Sequence, residues 1–231
     1  MIESSSPGEW AWLGAMPYAS GLCVQEKVRD QVAEGRAVDT LLLLEHPSVI
    51  TLGRNADLAN IIATPEDLQR SGISVVRASR GGDVTYHGPG QMVGYPVFRL
   101  RRGVRSHVKA MADGIIAVLA TLGIAAEWRE SRPGVWVGAE KICAVGVHVR
   151  RHVATHGFAL NVNTDLEAFR TIVPCGLCDA GVTSIAKLLG VALELENVAE
   201  QLVRAFERSF FIRLARISAS SSRLQIANGN L

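Results

Sequence analysis

Gly134-Val135-Trp136-Val137, Ile142-Cys143-Ala144-Val145-Gly146-Val147-His148-Val149 and Val153-Ala154-Thr155-His156-Gly157-Phe158-Ala159-Leu160-Asn161-Val162 follow one another with only short breaks. Each run is apolar or alternating and rich in β-branched residues, the pattern of strands that face a buried layer. No helical period separates them, so they are expected to pair in a mixed or antiparallel sheet and not through regular crossover helices. Residues 40–45 and 49–52 add strand-like runs, and residues 73–77 and 92–98 read as two more.

Helical signals lie around these runs. Residues 22–35 form an amphipathic stretch ended by Gly35, and Thr64 followed by Pro65 opens a short helix that stops near Gly72. Ser106 is expected to cap a longer helix with Met111, Ile115, Val118, Leu119 and Leu122 on one face, closed by Gly123. Residues 165–170 and 184–189 read as short helices, and residues 198–212 as a last one with Leu202, Phe206 and Phe210 inward. The expected fold class is α+β: a single domain over residues 1–216, its mixed or antiparallel sheet packed with helices. Residues 217–231, rich in Ser, Ala and Asn, are expected to be a loosely ordered polar tail.

With 231 residues and 48% apolar content, the chain can bury a sizeable core. Its formal charge of +2, from 24 basic and 22 acidic residues, gives no general case for nucleic acid. One basic run, residues 99–105 with Lys109 behind it, is either a solvated face or a surface for an acidic partner. No basic, then apolar, leader opens the sequence, and Leu41 to Leu44 is too short to span a bilayer. A soluble, cytoplasmic protein without membrane contact is expected. The four cysteines, Cys23, Cys143, Cys175 and Cys178, then read as thiols.

The candidate chemistry begins in Arg80-Gly81-Gly82-Asp83-Val84-Thr85-Tyr86-His87-Gly88-Pro89-Gly90-Gln91. Its glycines let a backbone approach a ligand, while Arg80, Thr85, His87 and Gln91 supply polar handles. It reads as a binding loop joining two strands of one sheet. Lys141 opens a strand that is otherwise apolar. Beside a buried face, desolvation would favour its neutral amine and make it a base; from a strand end it would snorkel into water. In Val173-Pro174-Cys175-Gly176-Leu177 a thiol sits at a loop tip and needs a base to become nucleophilic, a role open to Lys141. Cys175 and Cys178 also spell C-x-x-C, a weak redox or zinc signal that would need a second pair or converging histidines, with His152 and His156 as candidates. Gly157 and Ala159 on one strand, with Ala144 and Gly146 on another, would leave a slot for an extended hydrocarbon at about 0.8 kcal/mol per buried methylene.

Several motifs occur together in order: Glu45-His46-Pro47 with Thr51-Leu52-Gly53-Arg54, the 80–91 loop, Pro133-Gly134-Val135-Trp136-Val137, Lys141-Ile142 through Gly146, His156 to Asn161, Pro174-Cys175-Gly176 and Gly181-Val182-Thr183-Ser184. In these the chain resembles the lipoyl(octanoyl) transferases. That resemblance implies the α+β catalytic domain shared with lipoate and biotin protein ligases. It implies transfer of an octanoyl group from octanoyl-acyl carrier protein to a lysine of lipoyl domains, those of 2-oxoacid dehydrogenase complexes and the glycine cleavage H protein. Cys175 matches the acyl-thioester nucleophile and Lys141 the lysine that activates it. Arg80, Gly81, Gly82, Asp83, Val84, Thr85, Tyr86 and His87, with Ala144, Val145, Gly146, Gly157, Phe158 and Ala159, match the substrate-lining segments. No metal and no cofactor is implied, and Cys178 matches no motif. An ATP-dependent lipoate or biotin ligase of the same fold, or a non-catalytic acyl-binding module, are the alternative readings.

Overall fold

A computed structural model describes residues 6–173 and 180–225. The chain opens with a strand the sequence reading did not find, β1 (Ser6–Ala15), and then α1 (Tyr18–Ala33), which begins earlier than expected behind Pro17 and stops at Glu34, with Gly35 at φ +73°. Strands β2 (Asp39–Glu45) and β3 (Val49–Leu52) follow, then α2 (Pro65–Arg70), in which Thr64 accepts from the Asp67 N–H as the expected cap. Next come β4 (Ser74–Arg77), β5 (Val84–His87), β6 (Gln91–Val97) and α3 (Gly103–Thr121). Ser106 lies inside α3 and is not its cap, because Gly103, at φ +81°, turns the chain into the helix three residues sooner.

The sheet runs expected from the sequence form β7 (Glu127–Trp128), β8 (Gly134–Val137), β9 (Glu140–Arg150) and β10 (Val153–Asn161). The chain closes with β11 (Gly181–Val182), α4 (Ile185–Leu189) capped by Ser184, α5 (Leu195–Phe210) and β12 (Ile212–Arg216). Phe211, at φ +55°, ends α5 and sends Ile212 into a strand instead of the expected helix. The stretch after β12 is docked as far as it is described. Leu224 is buried, the Lys27 ammonium donates to the Ser222 and Gln225 carbonyls, and Arg223 pairs with Glu9.

A large sheet runs β12-β1-β2-β6-β10-β9-β8-β7, with β11 beside β9, and a small one runs β4-β3-β5. From β2 through β7 the large sheet is antiparallel, as expected, whereas β1 is parallel to both β2 and β12. Leu41 to Leu44 are all fully buried because both faces of β2 are covered. Leu41 and Leu43 meet the α3 and α5 side with Ile115, Leu119, Leu202 and Phe206; Leu42 and Leu44 meet Val24, Val28 and Val32 of α1.

The 80–91 loop does not join two strands of one sheet. Its Val84-Thr85-Tyr86-His87 segment is itself strand β5, paired with β3 in the small sheet, and the chain then crosses to β6 in the large one. Two β-branched residues, Val84 and Thr85, followed by the aromatic Tyr86 make that segment a better strand than loop. The crossing sets the small sheet beside β6, β9 and β10 of the large sheet, with a slot between them.

Candidate active site

The slot is lined by Tyr18 of α1, Arg80, Gly81 and Gly82, Thr85 and His87 of β5, Val93 and Tyr95 of β6, Pro133, Ala144 to Gly146 of β9 and His156 to Ala159 of β10. Eleven of the sequence-singled residues thus come together: Arg80, Gly81, Gly82, Thr85, His87, Ala144, Val145, Gly146, Gly157, Phe158 and Ala159. Asp83, Val84 and Tyr86 do not join them. Successive strand residues point to opposite faces, so Thr85 and His87 face the slot while Val84 and Tyr86 fill the small-sheet core with Ile50 and Phe169. The Asp83 carboxylate accepts from the Asp57 N–H and the Asn60 amide, tying down the neighbouring turn.

The small residues do different jobs. Gly146 pairs with Gly157 and Ala144 with Ala159 across the two strands. A Cβ on Gly146 would point at the Gly81 carbonyl, 3.1 Å away, and at the Arg80 side chain, so its smallness belongs to the slot. A Cβ on Gly157 would lie 2.2 Å from the Gly94 carbonyl oxygen, so that glycine lets β10 approach β6 and does not shape the slot. Phe158 contributes its backbone, since its ring packs on Phe206 in the α3–α5 core.

Arg80 is a buried strut. Its guanidinium donates to the Thr51 hydroxyl and carbonyl, at 2.8 and 2.6 Å, and to the Gly81 carbonyl. The Gly81 N–H is committed to the Val147 carbonyl, which fastens the loop to β9. Burial and the Arg80 charge act on the slot histidines: His87 and His156 are both held down to about 3, by burial first, and stay neutral. His156, at φ +56°, sits in the left-handed region, with its N–H donating to Gln25 and its Nε2 2.9 Å from the Ser79 hydroxyl. His152 is exposed in the β9–β10 turn and does not converge with it. Among the described residues no cluster of three or more His, Cys, Asp or Glu is placed to hold a metal ion, and no helix is long and apolar enough to cross a membrane.

Lys141 reaches the slot side through a β-bulge. Val135 pairs with Cys143 but Trp136 pairs with Lys141, so β9 has one extra residue at Ile142. Residues directly opposite share a face, and Val135 and Trp136 face opposite ways. Lys141 and Cys143 therefore lie on opposite faces although they are two apart, and Lys141 joins the face of Gly134 and Ala144. Its ammonium lies 5.1 Å from the Trp136 ring centroid, and a Cβ on Gly134 would come within 3.1 Å of its stem. Cys143 is left on the core side, where burial pushes its thiol well up and keeps it inert.

Residues the sequence reading passed over complete the slot. The ring of Tyr18 stacks 6.2 Å from His87, and His46 bridges the Met16 carbonyl and the Tyr95 hydroxyl, both at 2.7 Å. Only the position of His46 inside Glu45-His46-Pro47 pointed to it; nothing near Tyr18 did. Asn161 and Gln91 form a buried amide pair behind His87. The Pro174-Cys175-Gly176 motif and the C-x-x-C pair with Cys178 lie outside the described residues. On either side of them the Val173 N–H donates to the Asn60 carbonyl, and Gly181 and Val182 pair in parallel with Glu140 and Lys141.

Residues 17–207 match the family described as the lipoyl protein ligase A/B catalytic domain. The chain is 52% identical over 201 residues to an octanoyltransferase of Solibacter usitatus (strain Ellin6076), covering 86% of this chain and 90% of that one. It is 48% identical over 203 residues to an octanoyltransferase of Myxococcus xanthus, covering 84% of this chain and 57% of that one. A solved lipoate-protein ligase A, bound with ATP, superposes with a TM-score of 0.80 at 19% identity, over 94% of this chain and 91% of that one, a likeness of fold.

Proposed function

The chain belongs to the lipoyl protein ligase A/B catalytic-domain family, and from that premise we propose that it moves an octanoyl group onto a lysine of a lipoyl domain through a thioester on Cys175. The donor in this reading is octanoyl-acyl carrier protein, and the acceptors are the lipoyl domains of 2-oxoacid dehydrogenase complexes and the glycine cleavage H protein. The observation that carries it is the bulge at Ile142, which takes a buried lysine off the core face and sets it beside a slot walled by alanine and glycine. A bulge that re-aims one charged side chain costs a ladder position, and such features concentrate at functional sites.

In the first half-reaction Lys141 Nζ takes the Cys175 thiol proton, and the sulfur attacks the donor thioester. The bond to the carrier sulfur breaks, and that sulfur leaves with the proton. In the second, the acceptor amine attacks the acyl-Cys175 carbon, an amide forms, and the thiol is restored. Thioester exchange is near balance and amide formation is downhill. The apolar slot supplies binding for the chain at about 0.8 kcal/mol per methylene. Pairing of Gly181–Val182 with Glu140–Lys141 supports the dyad, because it ties the chain just after the Cys175 motif to the lysine's own strand.

The basic run also finds a place in this reading. Arg54, Arg102, Arg105 and Lys109 line an outer groove that shares Gly81, Gly82, Pro133 and Gly146 with the slot; Arg105 pairs with Glu130 and Lys109 with Asp113 there, and the remaining excess of basic residues suits an acidic donor protein. The test is transfer from octanoyl carrier protein to a lipoyl domain without ATP, followed by the mass of the acceptor. An octanoylated acceptor is expected. Transfer that requires ATP and free octanoate would support the ligase alternative instead.

A further inference from the structure

His87 is held from behind by a chain of hydrogen bonds that ends on the lysine strand. Gln91 Nε2 donates to the Tyr86 carbonyl at 3.2 Å and to Asn161 Oδ1 at 2.9 Å, which uses both of its N–H bonds. Gln91 Oε1 is then the atom facing His87, and its 2.8 Å contact makes His87 Nδ1 the donor. Asn161 Nδ2 in turn donates to the Thr183 carbonyl at 3.0 Å, and the Thr183 N–H donates to the Lys141 carbonyl at 3.1 Å. With Nδ1–H committed, the neutral ring carries its lone pair on Nε2, and His87 lines the slot. No described residue donates to that nitrogen.

The groups around the ring keep it in that state. Tyr18 stacks on it, and His46 lies 5.9 Å away with its own nitrogens engaged by Met16 and Tyr95. The Arg80 guanidinium and the neutral His156 complete the surroundings, and burial with these neighbours holds His87 at about 3. It remains an acceptor throughout the working range of an enzyme.

We propose that His87 Nε2 receives a hydrogen bond from the acceptor lysine amine during the second half-reaction, with Gln91 and Asn161 as positioning residues. The inference rests on the acyl-transfer reading above. As the amine N–C bond forms, the C–S bond to Cys175 breaks and its electron pair returns to sulfur. The amine proton reaches that sulfur by way of Lys141. His87 accepts a hydrogen bond, aims the nitrogen lone pair at the acyl carbon and keeps no proton.

Single-turnover kinetics separates the two halves: acylation by octanoyl carrier protein, read by intact mass, and deacylation by the lipoyl domain. His87→Phe keeps a ring but removes the acceptor, and is expected to slow deacylation about tenfold more than acylation. Gln91→Glu places a carboxylate on Nδ1 and raises the basicity of the ring. The attacking amine gives wild type and variant alike a fall toward acid; in Gln91→Glu deacylation should fall more steeply as pH drops, because the protonation of His87 is added to that of the amine. Equal losses in both halves for His87→Phe, or an unchanged pH profile for Gln91→Glu, would overturn the inference. A wild-type protein that forms no acyl-enzyme would overturn the acyl-transfer reading and this inference with it, an outcome distinct from the other two.

Discussion

At the scale of single residues, Lys141 carries the most consequence, and its placement depends on two neighbours. The bulge turns it toward the slot, and Gly134 leaves room for its stem. Lys141→Arg should be nearly as inactive as Lys141→Ala in octanoyl transfer, because a guanidinium keeps the charge but cannot give up its proton and act as a base. An active arginine variant, in the same assay, would reduce Lys141 to a fixed positive charge. The sequence made Lys141 conspicuous as a charge in an apolar run. It did not reveal which face the side chain takes, because a one-residue bulge leaves no mark on composition or period.

At the scale of elements, strand alternation sorts the substrate-lining candidates better than the motifs did. The twelve-residue loop reads as one functional block in sequence, yet β5 sends Thr85 and His87 to the slot and Val84 and Tyr86 to a core. The two glycines of β9 and β10 separate in the same way. Gly146→Ala should shift the preference between hexanoyl and octanoyl donors toward the shorter chain by about tenfold, as a methylene-sized change in an apolar pocket does. Gly157→Ala should instead lower the urea midpoint, at a cost of about 1–3 kcal/mol from crowding the Gly94 carbonyl, with no change in chain preference. Competition between the two donors and a urea titration check the pair. Helix positions were legible from period and glycine ends such as Gly35 and Gly123, while two ends moved where a residue took positive φ unannounced, at Gly103 and Phe211. The parallel edge made by β1 and β12 was not legible, since burial along β1 does not alternate regularly and β12, which does alternate, is only five residues long and follows directly on a helix.

At the scale of the whole molecule, two sheets close on a slot and bury neutral His87 and His156, and the packing of α3 and α5 buries a third histidine, His107. His87 and His156 are held at about 3, and His107, wedged between Phe98 and Phe210, at about 4, in each case by burial first. The unfolded chain takes up protons near pH 6.5 that the folded chain refuses. The stability these groups contribute is therefore complete above about pH 6.5 and is lost as pH falls toward 4 and 3, by about 1.4 kcal/mol per pH unit for each. Buried Asp39 is shifted up and opposes this trend. Urea unfolding should show a lower midpoint at pH 5 than at pH 7.5, and His107→Leu should flatten the dependence; an identical slope in that variant would show that His107 is not buried neutral. The α+β class and the antiparallel centre of the sheet followed from runs of strand pattern without crossover helices. The opposition of two sheets did not, because it depends on residues 84–87 pairing with residues 49–52 across more than thirty positions.

Octanoyl transfer as proposed passes through a covalent octanoyl-enzyme at Cys175 formed without ATP. Intact mass of the protein after mixing with octanoyl carrier protein measures it directly, with Cys175→Ser and Cys178→Ser alongside. One octanoyl group is expected on the wild type and on Cys178→Ser, none on Cys175→Ser, with its removal when a lipoyl domain is added. An unmodified wild type that still octanoylates the lipoyl domain, or an adduct that survives Cys175→Ser, would contradict this route.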